Sequence, residues 1–85
     1  MEILARFVVD GRLKTIPAAE KKRTIVLKWL ATLFEPGRTY HEKEVSETLR
    51  GVHEDFASLR RYLVDYGLMT RANGIYQLAD PKEES

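Results

Sequence analysis

The segment 53–68 constrains the fold most strongly, because its apolar residues recur at helical spacing. Four of them follow one another at steps of three or four and therefore share one face of a helix. They are Phe56, Leu59, Leu63 and Tyr66. Gly67 comes next, at the position where a left-handed residue ends many helices. The pattern predicts a helix over 54–66, and the rest of the chain must supply the core that covers its apolar face.

A longer helix is predicted over 18–34, because seven large apolar residues fall within the ten positions 25–34. Pro17 suits the first helical position, where its missing N–H is not needed. Glu35-Pro36-Gly37 is a strong stop signal. The inner face is expected to be lined by Ile25, Trp29, Leu30 and Leu33 and to be widened by Val26, Leu27 and Phe34. The sequence therefore places Trp29 in the core.

Two shorter helices complete the helical part. The first is N-terminal and ends at the turn signal Asp10-Gly11. Its apolar side consists of Ile3, Leu4, Phe7 and Val8. The other spans about 42–50, with Val45 and Leu49 facing inward. Its start fits two capping boxes, either Thr39 with Glu42 or His41 with Glu44.

Asn73-Gly74 is the strongest signal for β structure, because this dipeptide favours the tight turn of a hairpin. The strand-like runs 68–71 and 75–78 flank it. The segment 38–40 is expected to be briefly extended, and 12–16 alternates weakly. The order of elements predicts a mainly α fold with a small β-hairpin, resembling a winged helix-turn-helix with an extra N-terminal helix.

We expect one domain over 1–85, because 85 residues suffice for a single core. Within it, 1–17 holds the N-terminal helix and an extended segment, 18–78 the winged-helix core, and 79–85 a frayed charged tail. Without cysteine, disulfides and thiolate metal sites are excluded. The chain has neither a membrane-length apolar run nor the charge order of a signal peptide, so a bacterial cytoplasmic protein without membrane contact is expected.

Catalysis requires a nucleophile or an acid–base pair in a pocket, and the sequence has no pattern of that form. We therefore expect no enzymatic activity, no cofactor and no small-molecule substrate. A metal site could draw on His41, His53, Asp55 and Glu42, but their spacing fits no known ligand signature. Helix capping and surface positions are the preferred roles for these residues.

The two parts of the chain differ in charge. Residues 1–34 hold seven basic and three acidic side chains, a net charge of +4, whereas 35–85 hold seven and ten, a net charge of −3. Since attraction to phosphates supplies most non-specific affinity for nucleic acids, contact with DNA should begin in the first part. The segment 42–66 carries four basic and six acidic residues, a net charge of −2, which argues against DNA binding there.

Several runs of the sequence, in order along nearly the whole chain, resemble the bacterial domain of unknown function 2087 family. These runs are 10–17, 21–23, 30–40, 42–45 and 59–68. The resemblance implies a winged-helix-like fold and a loose association with transcription regulators. It implies no activity, ligand or catalytic residue. Where the family often has a hydroxyl residue before Glu42, this chain has His41.

The candidate DNA contacts form two groups. Phosphate contacts are predicted for the basic residues Arg12, Lys14, Lys21, Lys22, Arg23 and Arg61. Ser58 and Tyr62 are expected on the outer face of the 54–66 helix, near the bases. Glu54 and Asp55 at the start of that helix would face phosphates, or alternatively cap the helix. Arg60 is expected to pair with an acidic residue, Glu44, Glu47 or Asp65.

Two functions fit these features. The favoured one is a non-enzymatic regulator, or a regulator-associated domain, that binds DNA weakly through a basic face. The alternative is a module that binds a protein partner or a second copy of itself without touching DNA. The apolar side of the N-terminal helix could then form a homodimer interface, or it could cover the core helix. A continuous positive surface joining 21–23 to Arg61 would favour DNA.

Overall fold

Residues 2–79 are described by a computed structural model, and they form four helices and five short strands. The helices are α1 (Glu2–Phe7), α2 (Glu20–Ala31), α3 (Glu42–Arg50) and α4 (Phe56–Asp65). The strands are β1 (Val8–Val9), β2 (Arg12–Leu13), β3 (Tyr40–His41), β4 (Met69–Ala72) and β5 (Ile75–Leu78). The chain is a small α+β protein. The predicted frayed tail lies outside the described residues, apart from Ala79.

The N-terminal region differs from the prediction, because Val8 belongs to a strand and not to the helix. β1 and β2 pair antiparallel, with Val8 opposite Leu13. The predicted turn at Asp10-Gly11 is confirmed, with φ of 53° and 77° at the two residues. This two-residue turn brings the strands together and ends α1 at Phe7. Leu4 and Phe7 pack partly buried against the core, as predicted.

α2 is shorter than the predicted helix at both ends. It begins after Ala19, so Pro17 precedes the helix and does not occupy its first position. After Ala31 the chain tightens, because Leu33 N–H donates to Leu30 O at 3.0 Å and Phe34 N–H to Ala31 O at 3.2 Å. These bonds to the third preceding residue replace the α-helical pattern before the Glu35-Pro36-Gly37 stop.

The inner face of α2 is also rotated relative to the prediction. Val26, Leu27 and Leu30 are buried. Leu33 is 41% exposed, and Ile25 and Trp29 are only half-buried. The cause is tertiary packing, since α4 covers one side of α2 and the short α1 covers another only in part.

α3 has the predicted bounds, and the second of the two capping boxes is the one that forms. His41 N–H donates to Glu44 Oε1 at 3.0 Å. Val45 and Leu49 are fully buried, as expected. A tight turn at Gly51-Val52 follows, and Leu13 N–H donates to Val52 O at 2.8 Å. This bond docks the β1–β2 ribbon onto the connection between α3 and α4.

α4 is capped by Asp55, whose Oδ1 accepts from Ser58 N–H at 3.4 Å. The helix therefore starts two residues later than predicted. Leu59 and Leu63 are fully buried, whereas Phe56 and Tyr66 are half-buried. Gly67 has the predicted left-handed conformation, with φ of 74°.

The predicted hairpin is confirmed. β4 and β5 pair antiparallel around Asn73 and Gly74, whose φ values are 53° and 77°. β3 adds to the other edge of β5, so that the sheet order is β3-β5-β4. Met69 and Tyr76 are almost completely buried and join the helices in one core. Among residues 2–79, no helix has the length and apolar character needed to cross a membrane.

Candidate nucleic-acid interface

The outward side of α4 carries three of the predicted contact residues. Ser58, Arg61 and Tyr62 line one shallow depression of about 340 Å³ together with Asp65. The Arg61 side chain is 84% exposed, and its Nε lies 3.9 Å from Asp65 Oδ2. An exposed pair at this distance holds the arginine only weakly. The guanidinium of Arg61 can therefore turn toward a stronger anion.

Arg23 occupies a different environment from the one predicted. Its Nε donates to Pro17 O at 3.1 Å, Nη2 to Ala18 O at 2.9 Å and Nη1 to Tyr66 Oη at 3.0 Å. Its Cζ also lies 4.7 Å from the centroid of the Tyr62 ring, a cation–π contact. The hydrogen bond with Tyr66 raises the pKa of Arg23. Arg23 thus ties the chain before α2 to α4, and few of its donors remain for a phosphate.

Tyr62 is half-buried, although the helical pattern placed it on the outer face. Its ring lies edge-on to Tyr66 at 6.0 Å and faces the Arg23 guanidinium. The ring is therefore already stacked, and stacking on a base would compete with Arg23.

The other predicted phosphate contacts lie in two other regions of the structure. Lys21 and Lys22 are exposed in the first turn of α2. Arg12 Nη1 donates to Gly51 O at 3.2 Å, so this residue lies beside the α3–α4 turn. Lys14 is exposed next to it in the chain, after β2. The basic residues thus divide between the start of α2 and the β1–β2 ribbon, and Arg23 over Tyr62 connects the first group to α4.

A second depression, which we call the arginine cleft, lies between α4 and the β4–β5 hairpin. Its volume is about 610 Å³. It is lined by Ala57, Arg60, Arg61, Val64, Asp65, Arg71 and Tyr76. Arg60 and Arg71 were not among the predicted contacts. The lining carries three guanidinium groups and one carboxylate, and Glu42, whose carboxylate accepts from the Tyr76 hydroxyl, adds a second negative charge beside it.

The arginines of the cleft are held by polar partners. Arg60 Nη1 donates to Ser46 Oγ at 2.6 Å, so its partner is a hydroxyl and not one of the predicted acids. The buried Tyr76 donates its hydroxyl proton to Glu42 Oε1 at 3.0 Å. The Tyr76 oxygen raises the pKa of Arg71, which stands opposite Tyr76 in the hairpin. The register around Asn73-Gly74 could have revealed this pairing from the sequence.

The acidic and histidine residues at the helix starts have local roles. Asp55 caps α4, as the alternative interpretation of the acidic pair predicts, and its N–H donates to His53 Nδ1 at 2.9 Å. His41 stands at the start of α3, so the two histidines serve different helices. Across residues 2–79, no group of three or more histidine, aspartate or glutamate side chains is arranged to hold a metal ion.

The sequence places the chain in a bacterial family. The family model for an uncharacterised protein conserved in bacteria, DUF2087, matches residues 12–78, so the chain belongs to that family. The match begins at β2 and includes α2, α3, α4 and the hairpin. No curated protein and no solved structure matches the chain significantly.

Proposed function

We propose that the chain is a non-enzymatic, winged-helix-like module, linked to transcription regulation, that binds DNA weakly. The order α2, β3, α3, α4, β4–β5 agrees with this fold, because two helices joined by a tight turn precede a hairpin. In such a module α4 is the helix that enters the major groove. The β4–β5 hairpin then forms a short wing beside it.

The observation that carries this proposal is the open outer side of α4. Arg61 is exposed between Ser58 and Tyr62, and the residues that line their depression all belong to α4. An arginine at this place can bind a backbone phosphate, and a serine hydroxyl can reach a base edge. Lys21 and Lys22 at the start of α2 would add phosphate contacts at the margin.

The charge distribution limits the affinity that we expect. Asp65 competes for Arg61, and Glu54 stays exposed just before α4. Binding through phosphate contacts weakens as the salt concentration rises, because the release of condensed counterions into a more concentrated solution gains less entropy. We therefore expect binding to a duplex at low salt that fades toward physiological salt.

Binding of a random-sequence duplex at low salt tests the proposal. Arg61→Ala, and the double change Lys21→Ala and Lys22→Ala, should each weaken binding severalfold. Arg6→Ala is the matched control, because Arg6 is an exposed arginine on α1, which packs against α2. If all of these variants bind the duplex with the affinity of the wild type, α4 is not the DNA-binding surface. Absence of duplex binding even at low salt would reject DNA as the partner.

A different observation favours the alternative function, in which the chain pairs with a second copy of itself. Leu4, Ile25 and Trp29 line an apolar groove of about 310 Å³ between α1 and α2. Exposed apolar grooves of this kind often mark contact surfaces, and two-fold pairs are the commonest oligomers. Sedimentation should then detect a dimer that Ile25→Glu separates and that Val9→Glu, an equally polar change at a 47% exposed site, leaves intact.

A further inference from the structure

We propose that the arginine cleft is a phosphate-binding site, in which Arg60, Arg61 and Arg71 together hold one phosphoryl group. The three residues come from two elements, since α4 supplies the first two and β4 supplies the third. Where DNA supplies the phosphate, this inference rests on the proposed function. A small phosphorylated molecule in the same cleft does not require it.

The arrangement of the cleft indicates a phosphate-binding site and not a chance grouping of arginines. Ser46 fixes Arg60 from α3, through the 2.6 Å hydrogen bond. Arg71 stands opposite the buried Tyr76 in the β4–β5 register, so the sheet holds the backbone of Arg71 at the cleft. The guanidinium of Arg60 is thus oriented before a ligand arrives, and the strand that carries Arg71 is fixed by the sheet, which reduces the entropy lost on binding.

Arg61 is the movable member of the site. Its contact with Asp65 is long and exposed, at 3.9 Å, and a phosphate would be a stronger acceptor than this carboxylate. Exchange of Asp65 for phosphate would therefore place a third guanidinium on the ligand. Planar guanidinium groups suit phosphate because they donate two parallel hydrogen bonds.

Charge and size both agree with a phosphorylated ligand. The lining carries three guanidinium groups against the carboxylate of Asp65 and that of Glu42 beside Tyr76, an excess of positive charge, and a phosphate monoester carries roughly −1.5 to −2 at neutral pH. The volume of about 610 Å³ exceeds what one phosphoryl group fills, so the cleft has room for the sugar or other group attached to it. The side chains of Val64 and Ala57 provide apolar surface for that group.

The test is a titration of the full chain with pyrophosphate and, separately, with a random-sequence duplex at low salt, followed through the arginine side-chain N–H signals in NMR spectra. Pyrophosphate should shift the signals of Arg60, Arg61 and Arg71. Arg71→Gln should weaken its binding by about tenfold, the loss typical of a charge-assisted hydrogen bond to an anion. Arg6→Gln is the charge-matched control and should bind as the wild type does.

Arg71 is exposed on a strand, so its substitution should leave the fold intact, and circular dichroism checks this. Arg60→Gln is the second variant and should weaken binding similarly. Arg71→Lys keeps the charge but loses the paired donors of the guanidinium. The affinity that this variant retains measures the contribution of charge, and the affinity that it loses measures the contribution of the paired hydrogen bonds.

The two titrations distinguish the source of the phosphate. If Arg71→Gln also weakens duplex binding about tenfold, DNA supplies the phosphate, whether or not free pyrophosphate binds. If pyrophosphate binds in an Arg71-dependent way and the duplex does not bind, the cleft serves a small phosphorylated molecule and the proposed function fails. If Arg71→Gln does not affect duplex binding and pyrophosphate binding does not depend on Arg71, the arginine cleft is not a phosphate-binding site. The proposed function would then still stand. Binding of neither ligand would contradict both the phosphate-binding site and the proposed DNA binding.

Discussion

Arg23 and the arginine cleft place the same side chain in opposite situations. At Arg23 the protein itself takes up most of the donors, with two carbonyls, a tyrosine hydroxyl and an aromatic ring. In the cleft, Arg61 is 84% exposed and Arg71 is exposed as well, with donors left for a ligand. The positive charge available for binding is therefore set by the partners of each arginine and not by the number of arginines in a segment.

Substitution of Arg23 should produce the largest effect and is the strongest test of this comparison. Arg23→Ala removes three hydrogen bonds and the stacking on Tyr62, so we expect Tm to fall by roughly 5 °C or more. Arg61→Ala should leave the free energy of unfolding within about 0.5 kcal/mol of the wild type, as for most surface changes. Thermal unfolding followed by circular dichroism measures both, and equal stability of the two variants would contradict the comparison.

Tyr76→Phe should have the next largest effect, because it removes a buried hydroxyl that bonds Glu42 at 3.0 Å. We expect a loss of about 1 kcal/mol in urea unfolding, the usual net contribution of such a bond. The same change removes the hydroxyl from the residue opposite Arg71 without altering the charge of Arg71. Phosphate affinity should therefore fall less than in Arg71→Gln, and an unchanged affinity together with unchanged stability would show that Tyr76 does not position Arg71.

Asp65→Asn should have the smallest effect, and it acts in the direction of tighter binding. The change frees Arg61 and adds one unit of positive charge to the cleft, while the exposed pair contributes little to stability. We expect affinity for the duplex to rise roughly threefold at low salt, with Tm nearly unchanged. Weaker binding in this variant would mean that Asp65 contacts the ligand itself.

Local signals explain the part of the fold that the sequence predicts well. The bounds of α3, the left-handed Gly67 and the Asn73-Gly74 turn all follow from residues adjacent in the chain. An extended segment over 12–16 was predicted and contains β2, but the pairing with β1 was not, because Val8 leaves the predicted helix only when it pairs with Leu13. The rotation of the α2 inner face has a similar cause, since α1 and α4 select which side of that helix is buried.

The candidate site was predicted only in part, for the same reason. Ser58, Arg61 and Tyr62 share a helical face, so their meeting at one depression could be expected from spacing alone. Arg23 contacts a tyrosine 43 positions away and Arg60 a serine 14 positions away, and neither contact has a local signal. The sequence gives the charge of both arginines, but the tertiary fold determines which residues they contact.

The salt dependence of duplex binding by the wild type and by Arg61→Ala is the decisive measurement for DNA contact by α4. We predict binding at low salt, with an association constant whose logarithm falls linearly with the logarithm of the salt concentration. The slope should be reduced by about one in Arg61→Ala, as for the loss of one phosphate contact, and should stay unchanged in Arg6→Ala. Identical slopes in all three proteins, or no binding at any salt concentration, would contradict the assignment of α4 as a phosphate-contacting surface.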